Sequence, residues 1–298
     1  MRSVISSYIN LTKPTIVLLF ALTGLTAMVV EGSLLHSQFK MWIVLAGIVL
    51  TAASANALNM YFDRDIDELM KRTRRKRSIP LKKVTPFNAL LFGLVLGVIA
   101  TAVLFFAANG LAAVLGIGTI VFYVGFYTLY LKRRTPYNIV IGGAAGATAP
   151  LIGWAAATGQ ISFVDAGVAW ILFLIIFMWT PPHFWALALV IKEDYREANV
   201  PMLPVVAGSE RTRIEILIYT LLLLPITFAP PLIKIGGMTY LAGGALLGLL
   251  FLRQTYLLMK FKTDRSAYAL FGYSIVYLLA LFIFLIIGSL VHGPVLST

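Results

Sequence analysis

Nine runs of apolar residues, each long enough to cross a lipid bilayer, constrain the fold of this 298-residue chain more than any other feature. A spanning helix needs about 20 mostly apolar residues to cross the hydrocarbon. The runs predict an all-α membrane protein with nine transmembrane helices in one bundle, as a single domain over residues 1–298. The predicted spans are Pro14–Val30, Met41–Met60, Phe87–Ala108, Leu111–Leu131, Tyr137–Thr158, Gly167–Ile191, Ile214–Ile233, Met238–Met259 and Leu270–Val291.

The composition excludes the soluble classes of protein. Hydrophobic residues make up 60% of the chain and charged residues 12%, whereas an average soluble chain has about 25% charged residues. We therefore expect membrane lipid as a partner and no nucleic acid, although the formal net charge is +12. The chain has no cysteine, which excludes disulfides and thiolate metal ligands.

The basic residues predict the orientation of the bundle. With the N-terminus in the cytoplasm, 22 of the 24 Lys and Arg residues fall in cytoplasmic segments, and only Lys40 and Lys234 fall outside. Cytoplasmic loops of membrane proteins carry such an excess. We expect a cytoplasmic N-terminus and a C-terminus outside. The start of the chain resembles neither a cleavable signal peptide nor an organellar leader, so a bacterial plasma membrane is the expected location.

Ten of the twelve acidic residues fall on the same predicted face, and the clearest group ends the second run. Asn59, Asp63 and Asp67 are spaced four apart, so they share one side of a helix. Carboxylates at this spacing repel each other, and a divalent cation would offset the repulsion. Mg²⁺ prefers one or two carboxylates together with phosphate oxygens. For Asp65 and Glu68 we favour solvation or pairing with neighbouring cations.

Basic side chains near this group would suit an anion such as a diphosphate. The candidates are Arg64, Lys71, Arg72, Lys132 and Lys192. We interpret most of Arg74–Arg77 and Lys82–Lys83 as a topology signal, since such runs commonly follow a helix that enters the cytoplasm.

A second acidic pair, Glu193 and Asp194, follows the sixth run. The second and sixth helices cross the membrane in the same direction, so their polar ends are expected on one face. Together the two clusters could hold a metal-bridged diphosphate. For this pair taken by itself, solvated charge at a helix end is the default interpretation.

His183 is the one histidine inside a predicted span, next to Pro181 and Pro182 and flanked by Trp179 and Trp185. Ionisable groups within spans mark functional sites by default, and paired prolines are expected to kink the helix. Two interpretations stay open with about equal weight. The ring contacts a ligand, or it donates a structural hydrogen bond to another helix.

Several motifs occur in one order along the chain. Asn59-Met-Tyr-Phe-Asp63-Arg-Asp65-Ile-Asp67 leads to Met70-Lys-Arg-Thr73, and Lys132-Arg-Arg-Thr-Pro136 precedes the glycine-rich stretch Asn138–Gly146. Pro150-Leu-Ile-Gly-Trp154, Trp179-Thr-Pro-Pro-His-Phe-Trp185 and Pro201-Met-Leu-Pro-Val205 follow. In these motifs the chain resembles the UbiA superfamily of intramembrane prenyltransferases, in particular its haem-farnesylating branch.

The resemblance implies a nine-helix bundle whose active site faces the cytoplasm, with farnesyl diphosphate and haem B as substrates and a haem A synthase as a downstream partner. It implies a catalytic set of Asn59, Asp63, Asp67 and Asp194, with Mg²⁺ held by Asp63, Asp67, Asp194 and Glu193. The cations above would bind the diphosphate, and His183, Trp179 and Trp185 would contact the haem. Tyr61, Phe62 or Tyr127 would stabilise the allylic cation through its aromatic ring.

One departure bears on the acceptor. Quinone-type members carry two aspartates four apart in the second acidic motif, but Ala198 stands four residues after Asp194 here. A quinone-precursor acceptor therefore remains as a weaker alternative. A secondary anion transporter is the alternative from another class, because transporters also place polar groups and broken helices inside the membrane.

Overall fold

The computed structural model describes residues 2–293, with side chains from residue 4 onward. Within that range every regular secondary-structure element is a helix, and nine helices are long and apolar enough to cross a membrane. The nine spans, numbered 1 to 9 in chain order, are Pro14–Glu31, Gln38–Phe62, Pro86–Ala107, Gly110–Arg133, Asn138–Thr158, Gly167–Val190, Gly208–Leu232, Gly237–Phe261 and Asp264–His292.

The predicted all-α architecture with nine spans is confirmed. The short connection between spans 3 and 4 has a clear local cause. Asn109 caps span 4, since its Oδ1 accepts from the backbone N of Ala112 at 2.9 Å, and its Nδ2 donates to the carbonyl of Ala155 at 2.7 Å. The orientation of the termini across the membrane stays a prediction.

Short helices at one end of the bundle carry many of the polar residues. They are Arg2–Thr12 before span 1, Arg64–Leu69 and Lys71–Arg74 after span 2, and Lys192–Glu197 and Leu203–Val206 after span 6. A hydrogen bond of 3.1 Å from the backbone N of Arg72 to Asp194 Oδ2 joins the segments that follow spans 2 and 6. These two span ends therefore lie at the same end of the bundle, as the sequence predicts.

Spans 4, 5 and 7 depart from regular α-helix. Span 4 passes into a π-helical stretch at Phe122–Tyr130 and a 3₁₀ turn at Leu131–Arg133. Span 5 divides into Asn138–Gly146 and Ala149–Thr158, and span 7 into Gly208–Thr227 and Ala229–Leu232. Single π-helical turns are frequent at functional sites, and this one precedes Lys132.

Span 6 is a single helix through the paired prolines. Gly167–Val190 includes Pro181 and Pro182 without a break, and the kink expected there stays a prediction. Just before the prolines, the Thr180 hydroxyl donates to the carbonyl of Ile176 at 2.8 Å, so a side chain adds a hydrogen bond to this turn. Packing against spans 5, 7 and 9 holds the helix in place on several sides.

Spans 1 and 5 pack closely enough to require glycine. A Cβ built on Gly153 would lie 2.5 Å from the carbonyl oxygen of Gly24. We expect Gly153→Ala to destabilise the bundle by about 1–3 kcal/mol, the usual effect of overpacking. The matched control is Gly118→Ala, because a Cβ on Gly118 meets nothing within 4 Å. Thermal unfolding of the detergent-solubilised variants measures both, and equal melting temperatures for the two would contradict the prediction.

Candidate active site

The polar group at the end of span 2 keeps one helical register although the helix is interrupted at Asp63. Span 2 ends at Phe62 and the next helix begins at Arg64. The backbone N of Asp63 donates to the carbonyl of Asn59 at 2.9 Å, and that of Asp67 to the carbonyl of Asp63 at 2.8 Å. The i to i+4 pattern therefore continues through the junction, which places the three side chains along one side.

These three side chains are withdrawn from the surface. Asp63 is 0% exposed, Asp67 1% and Asn59 2%. Buried carboxylates need partners, because removing an ionised group from water is costly. Here each carboxylate has a cation. Lys132 Nζ lies 2.6 Å from Asp63 Oδ2, and the Arg77 guanidinium pairs with Asp67 Oδ2.

Asn59 links the two ion pairs to the start of span 1 and to span 4. Its Nδ2 donates to Asp63 Oδ2 at 2.8 Å and to Thr128 Oγ1 at 2.9 Å. Its Oδ1 accepts from Lys13 Nζ at 2.7 Å. The amide thus joins the start of span 1 and the π-helical stretch of span 4 to the carboxylates of span 2, which makes it the centre of the network.

Two cations of the network were not predicted as site residues. Lys13 and Arg77 were both counted as topology signals, yet both reach buried polar groups. Lys13 takes a left-handed backbone conformation with φ 55° just before Pro14, which is uncommon for a non-glycine residue. The one signal in the sequence is the position of Lys13 at the membrane edge, and nothing local distinguishes Arg77 from its basic neighbours.

The π-helical stretch of span 4 brings two further residues to the site. The Thr128 hydroxyl lies 2.8 Å from the carbonyl of Tyr123, five residues earlier. The Tyr127 ring lies directly against span 5, where a Cβ on Gly142 would stand 2.1 Å from its Cδ2 atom. Gly142 therefore makes room for Tyr127, which stacks on Tyr123 with 5.3 Å between ring centroids.

Burial and pairing shift the pKa values at this end of the bundle. Burial raises the pKa of Asp67 above its ordinary value, against the opposing effect of Arg77. Burial and the nearby Arg77 charge lower the pKa of Lys13 well below its ordinary value. By contrast, hydrogen bonds from Arg133 lower the pKa of the exposed Asp65 to about 2. Asp65 is thus held by a surface partner, while Asp63 and Asp67 belong to the buried network.

The buried carboxylates retain free oxygens that fit a divalent cation. Asp63 Oδ1 and Asp67 Oδ1 are both buried and accept no hydrogen bond within the described part of the chain. Such orphaned groups are rare and call for an explanation. Hard carboxylate oxygens are the donors that Mg²⁺ prefers. The donor set here therefore fits Mg²⁺.

The second acidic cluster does not complete a three-carboxylate site. Across residues 2–293, no three Asp, Glu or His side chains come close enough together to form a metal-binding group. Asp194 accepts from the backbone of Arg72. Glu193 is exposed and pairs with Arg196 and, at 3.9 Å, with Lys192. Asp63 and Asp67 therefore belong to the buried network. Asp194 instead contacts the backbone of Arg72, and Glu193 pairs with Lys192 and Arg196.

Of the five predicted diphosphate-binding cations, only Lys132 contacts the buried carboxylates in the structure. Lys71 pairs with Glu197 at 3.1 Å, and the guanidinium of Arg64 lies 4.4 Å from the centre of the Tyr61 ring. The side chain of Arg72 is exposed, and Lys192 lies near Glu193. Tyr61 also packs edge-on against Phe62. Tyr127, the third predicted aromatic residue, directly precedes Thr128, which accepts a hydrogen bond from Asn59.

The predicted haem-contact residues separate into two places. The His183 ring stacks on Trp179, at 4.2 Å between centroids, and on Phe271 of span 9, at 4.7 Å. Trp185 instead lies fully buried against Tyr219 of span 7. Two residues along a helix turn the side chain by about 200°, which is why Trp185 cannot flank the same ring. Phe271 was not predicted, because its contact with His183 depends on how spans 6 and 9 pack.

A membrane-embedded bundle with a buried network of carboxylates, amide and cations at one end defines a class of intramembrane enzyme. Residues 17–286 match the model of the UbiA prenyltransferase family. The chain belongs to this family, and it is a multi-pass membrane prenyltransferase.

Relatives and solved structures agree with this assignment. The chain is 50% identical to a protoheme IX farnesyltransferase of Gloeobacter violaceus, over 97% of this chain and 94% of that protein. It is 47% identical to one of Synechocystis, over 97% and 91%. The fold matches a digeranylgeranylglyceryl phosphate synthase at TM-score 0.77 and 19% identity, covering 97% and 99% of the chains. It also matches an Archaeoglobus fulgidus UbiA homologue bound to DMAPP and Mg²⁺, at TM-score 0.69 and 15% identity, covering 93% and 99%.

Proposed function

We propose that the protein transfers a farnesyl group from farnesyl diphosphate to a vinyl group of haem B, with addition of water, to give haem O. The observation that carries the reaction type is the pair of buried carboxylates, Asp63 and Asp67, each with one oxygen paired to a cation and one without a partner. The choice of donor and acceptor follows the names of relatives that match nearly the whole chain.

The proposed diphosphate site is formed by the cations that pair with the buried carboxylates in this structure. Lys132, Arg77 and Lys13 supply three formal positive charges beside the two carboxylates and Asn59. Mg²⁺ held through the free oxygens of Asp63 and Asp67, with Asp194 as a further candidate ligand, would neutralise charge on the leaving diphosphate. Lys132 and Arg77 would then be free to contact phosphate oxygens. Lys71, Arg72, Arg64 and Lys192 remain candidates for an outer ring of phosphate contacts.

The chemistry follows from the polarity of the site. The bond between the farnesyl C1 and the bridging oxygen breaks, and its electron pair leaves with the diphosphate. The Tyr127 and Tyr123 rings, stacked beside the network, would stabilise the allylic cation by about 0.5–2 kcal/mol each. The haem vinyl group then attacks that carbon, and water adds to the resulting cation and releases one proton.

The remaining assignments are proposals of the same kind. His183 and Trp179 are proposed to contact the porphyrin, and Trp185 supports the helix from its buried side. The polar end of the bundle is proposed to face the cytoplasm, in a bacterial plasma membrane, with the C-terminus outside. A haem A synthase is proposed as the downstream acceptor of the product.

One incubation tests this function. Purified protein with haem B, farnesyl diphosphate and Mg²⁺ is expected to yield farnesylated, hydrated haem, detected by mass. The matched reaction with an aromatic quinone precursor in place of haem is expected to yield none. Prenylation of the quinone precursor in place of haem would overturn the proposed acceptor. Flux of an anion across proteoliposomes without any prenylated product would favour the transporter alternative.

A further inference from the structure

His183 is held in one orientation between spans 6 and 9. Trp179 and Phe271 both stack on the imidazole, at interplanar angles of 16° and 25° to its plane. Trp179 is itself fixed, because its Nε1 donates to the carbonyl of Ser274 at 2.7 Å. These two stacking contacts leave the ring nitrogens of the imidazole, at its edge, to make hydrogen bonds or bind a ligand.

Ser274 decides which ring nitrogen carries the proton. Its hydroxyl lies 2.6 Å from the carbonyl of Phe271, to which it donates, and 2.6 Å from His183 Nδ1. A serine hydroxyl has a single hydrogen to donate. With that hydrogen given to Phe271, Ser274 Oγ accepts from His183, so the proton of a neutral imidazole is on Nδ1.

This arrangement leaves the lone pair on Nε2 available. Within the described residues, the one hydrogen bond of the ring is the one at Nδ1, and the side chain is half-buried rather than enclosed. A neutral imidazole whose other nitrogen is held by a hydrogen bond is the usual protein ligand of a transition metal. Iron in porphyrins is commonly bound in this way.

We propose that His183 binds the iron of the acceptor through Nε2, and that Ser274 holds the ring in the required tautomer. The inference rests on the proposed function and narrows its acceptor to an iron porphyrin bound by coordination. Stacking on Trp179 and Phe271 fixes the plane of the imidazole. Iron bound to Nε2 would then have a fixed position, which limits where the vinyl group of the porphyrin can lie.

Ferric haem B, added to the detergent-solubilised protein, is the probe. In protein labelled with ¹⁵N-histidine, electron–nuclear double resonance is expected to show a histidine nitrogen bound to iron. His183→Ala is expected to weaken haem binding at least about 10-fold and to remove this signal, and added imidazole is expected to restore a nitrogen-ligated visible spectrum. His36→Ala, which alters an exposed histidine, is the matched control. It should leave the haem affinity and the histidine-nitrogen signal unchanged.

Two further comparisons separate coordination from a structural role. Ser274→Ala is expected to weaken haem binding about 10-fold, with Ser274→Thr retaining it, because threonine keeps the hydroxyl. Metal-free protoporphyrin should bind the wild type and His183→Ala with equal affinity. If His183→Ala weakens both porphyrins alike and the labelled wild type shows no histidine nitrogen on iron, His183 is structural and the proposal is overturned.

The labelled wild type keeps the test decisive even where a variant fails to fold. Formation of farnesylated haem without iron–histidine coupling would overturn this inference and leave the proposed function standing. Absence of both haem binding and product would overturn the proposed function as well. Coupling together with product supports both.

Discussion

Replacing Asp63 and Asp67 together by asparagine is expected to abolish prenyl transfer while the protein still inserts into the membrane. Both side chains keep their shape but lose the charge that a divalent cation requires, and the free Oδ1 oxygens belong to these two residues. Preorganised electrostatic groups at a reacting centre are each worth about 10²–10³ in kcat. We therefore expect turnover to fall by at least about 10³-fold.

The measurement is product formation against Mg²⁺ concentration, with the amount of folded protein followed by size-exclusion chromatography. Asp65→Asn is the matched control, because Asp65 stands in the same helical segment but pairs with Arg133 at the surface, at 2.7 Å. Surface pairs contribute about 0–1 kcal/mol, so the control should fold and turn over normally. Undiminished Mg²⁺-dependent turnover in the double variant would refute the assignment of these carboxylates.

Replacing Arg77 by methionine is expected to destabilise the protein strongly. Its partner Asp67 is 1% exposed, and the change leaves that carboxylate buried without its cation. Removing one member of a buried ion pair costs about 3–5 kcal/mol. Arg75→Met is the matched control, since Arg75 is exposed and two residues away, and it should change the melting temperature little.

A second substitution tests whether the unpaired charge of Asp67 causes the loss of stability in Arg77→Met. Adding Asp67→Asn to Arg77→Met removes the unpaired charge, so most of the lost stability should return, whereas prenyl transfer should not. Thermal unfolding and product formation, measured on the same preparations, separate the two effects. If the second change fails to restore the melting temperature, the damage in Arg77→Met lies in packing and the ion pair is not its cause.

The spans and the main polar group could be predicted because their causes are local. Each span follows from the length of an apolar run. Most ends lie within three residues of the prediction, whereas spans 7 and 9 begin six residues earlier than predicted, at Gly208 and Asp264. The common side of Asn59, Asp63 and Asp67 follows from the helical repeat, which survives the junction at Asp63. The paired prolines of span 6 lie inside one continuous helix, Gly167–Val190, and the kink expected there stays a prediction.

The partners of these side chains could not be predicted in the same way. Arg77 and its neighbours carry the same charge in the same run, and only the path of the chain after residue 69 brings Arg77 to Asp67. The contact of Lys13 with Asn59 joins residues 46 apart in sequence. The contact of His183 with Ser274 joins residues 91 apart.

Sequence by itself therefore determined that this is a nine-span membrane protein with an aligned amide and two carboxylates at the end of span 2. The order of its motifs further indicated an intramembrane prenyltransferase. Tertiary structure decided which cations neutralise the carboxylates, which carboxylate oxygens stay free, and which serine contacts the His183 ring. The physical reason is that helical periodicity acts over a few residues, whereas the pairing of buried charges depends on which spans pack together and how deeply they enclose each group.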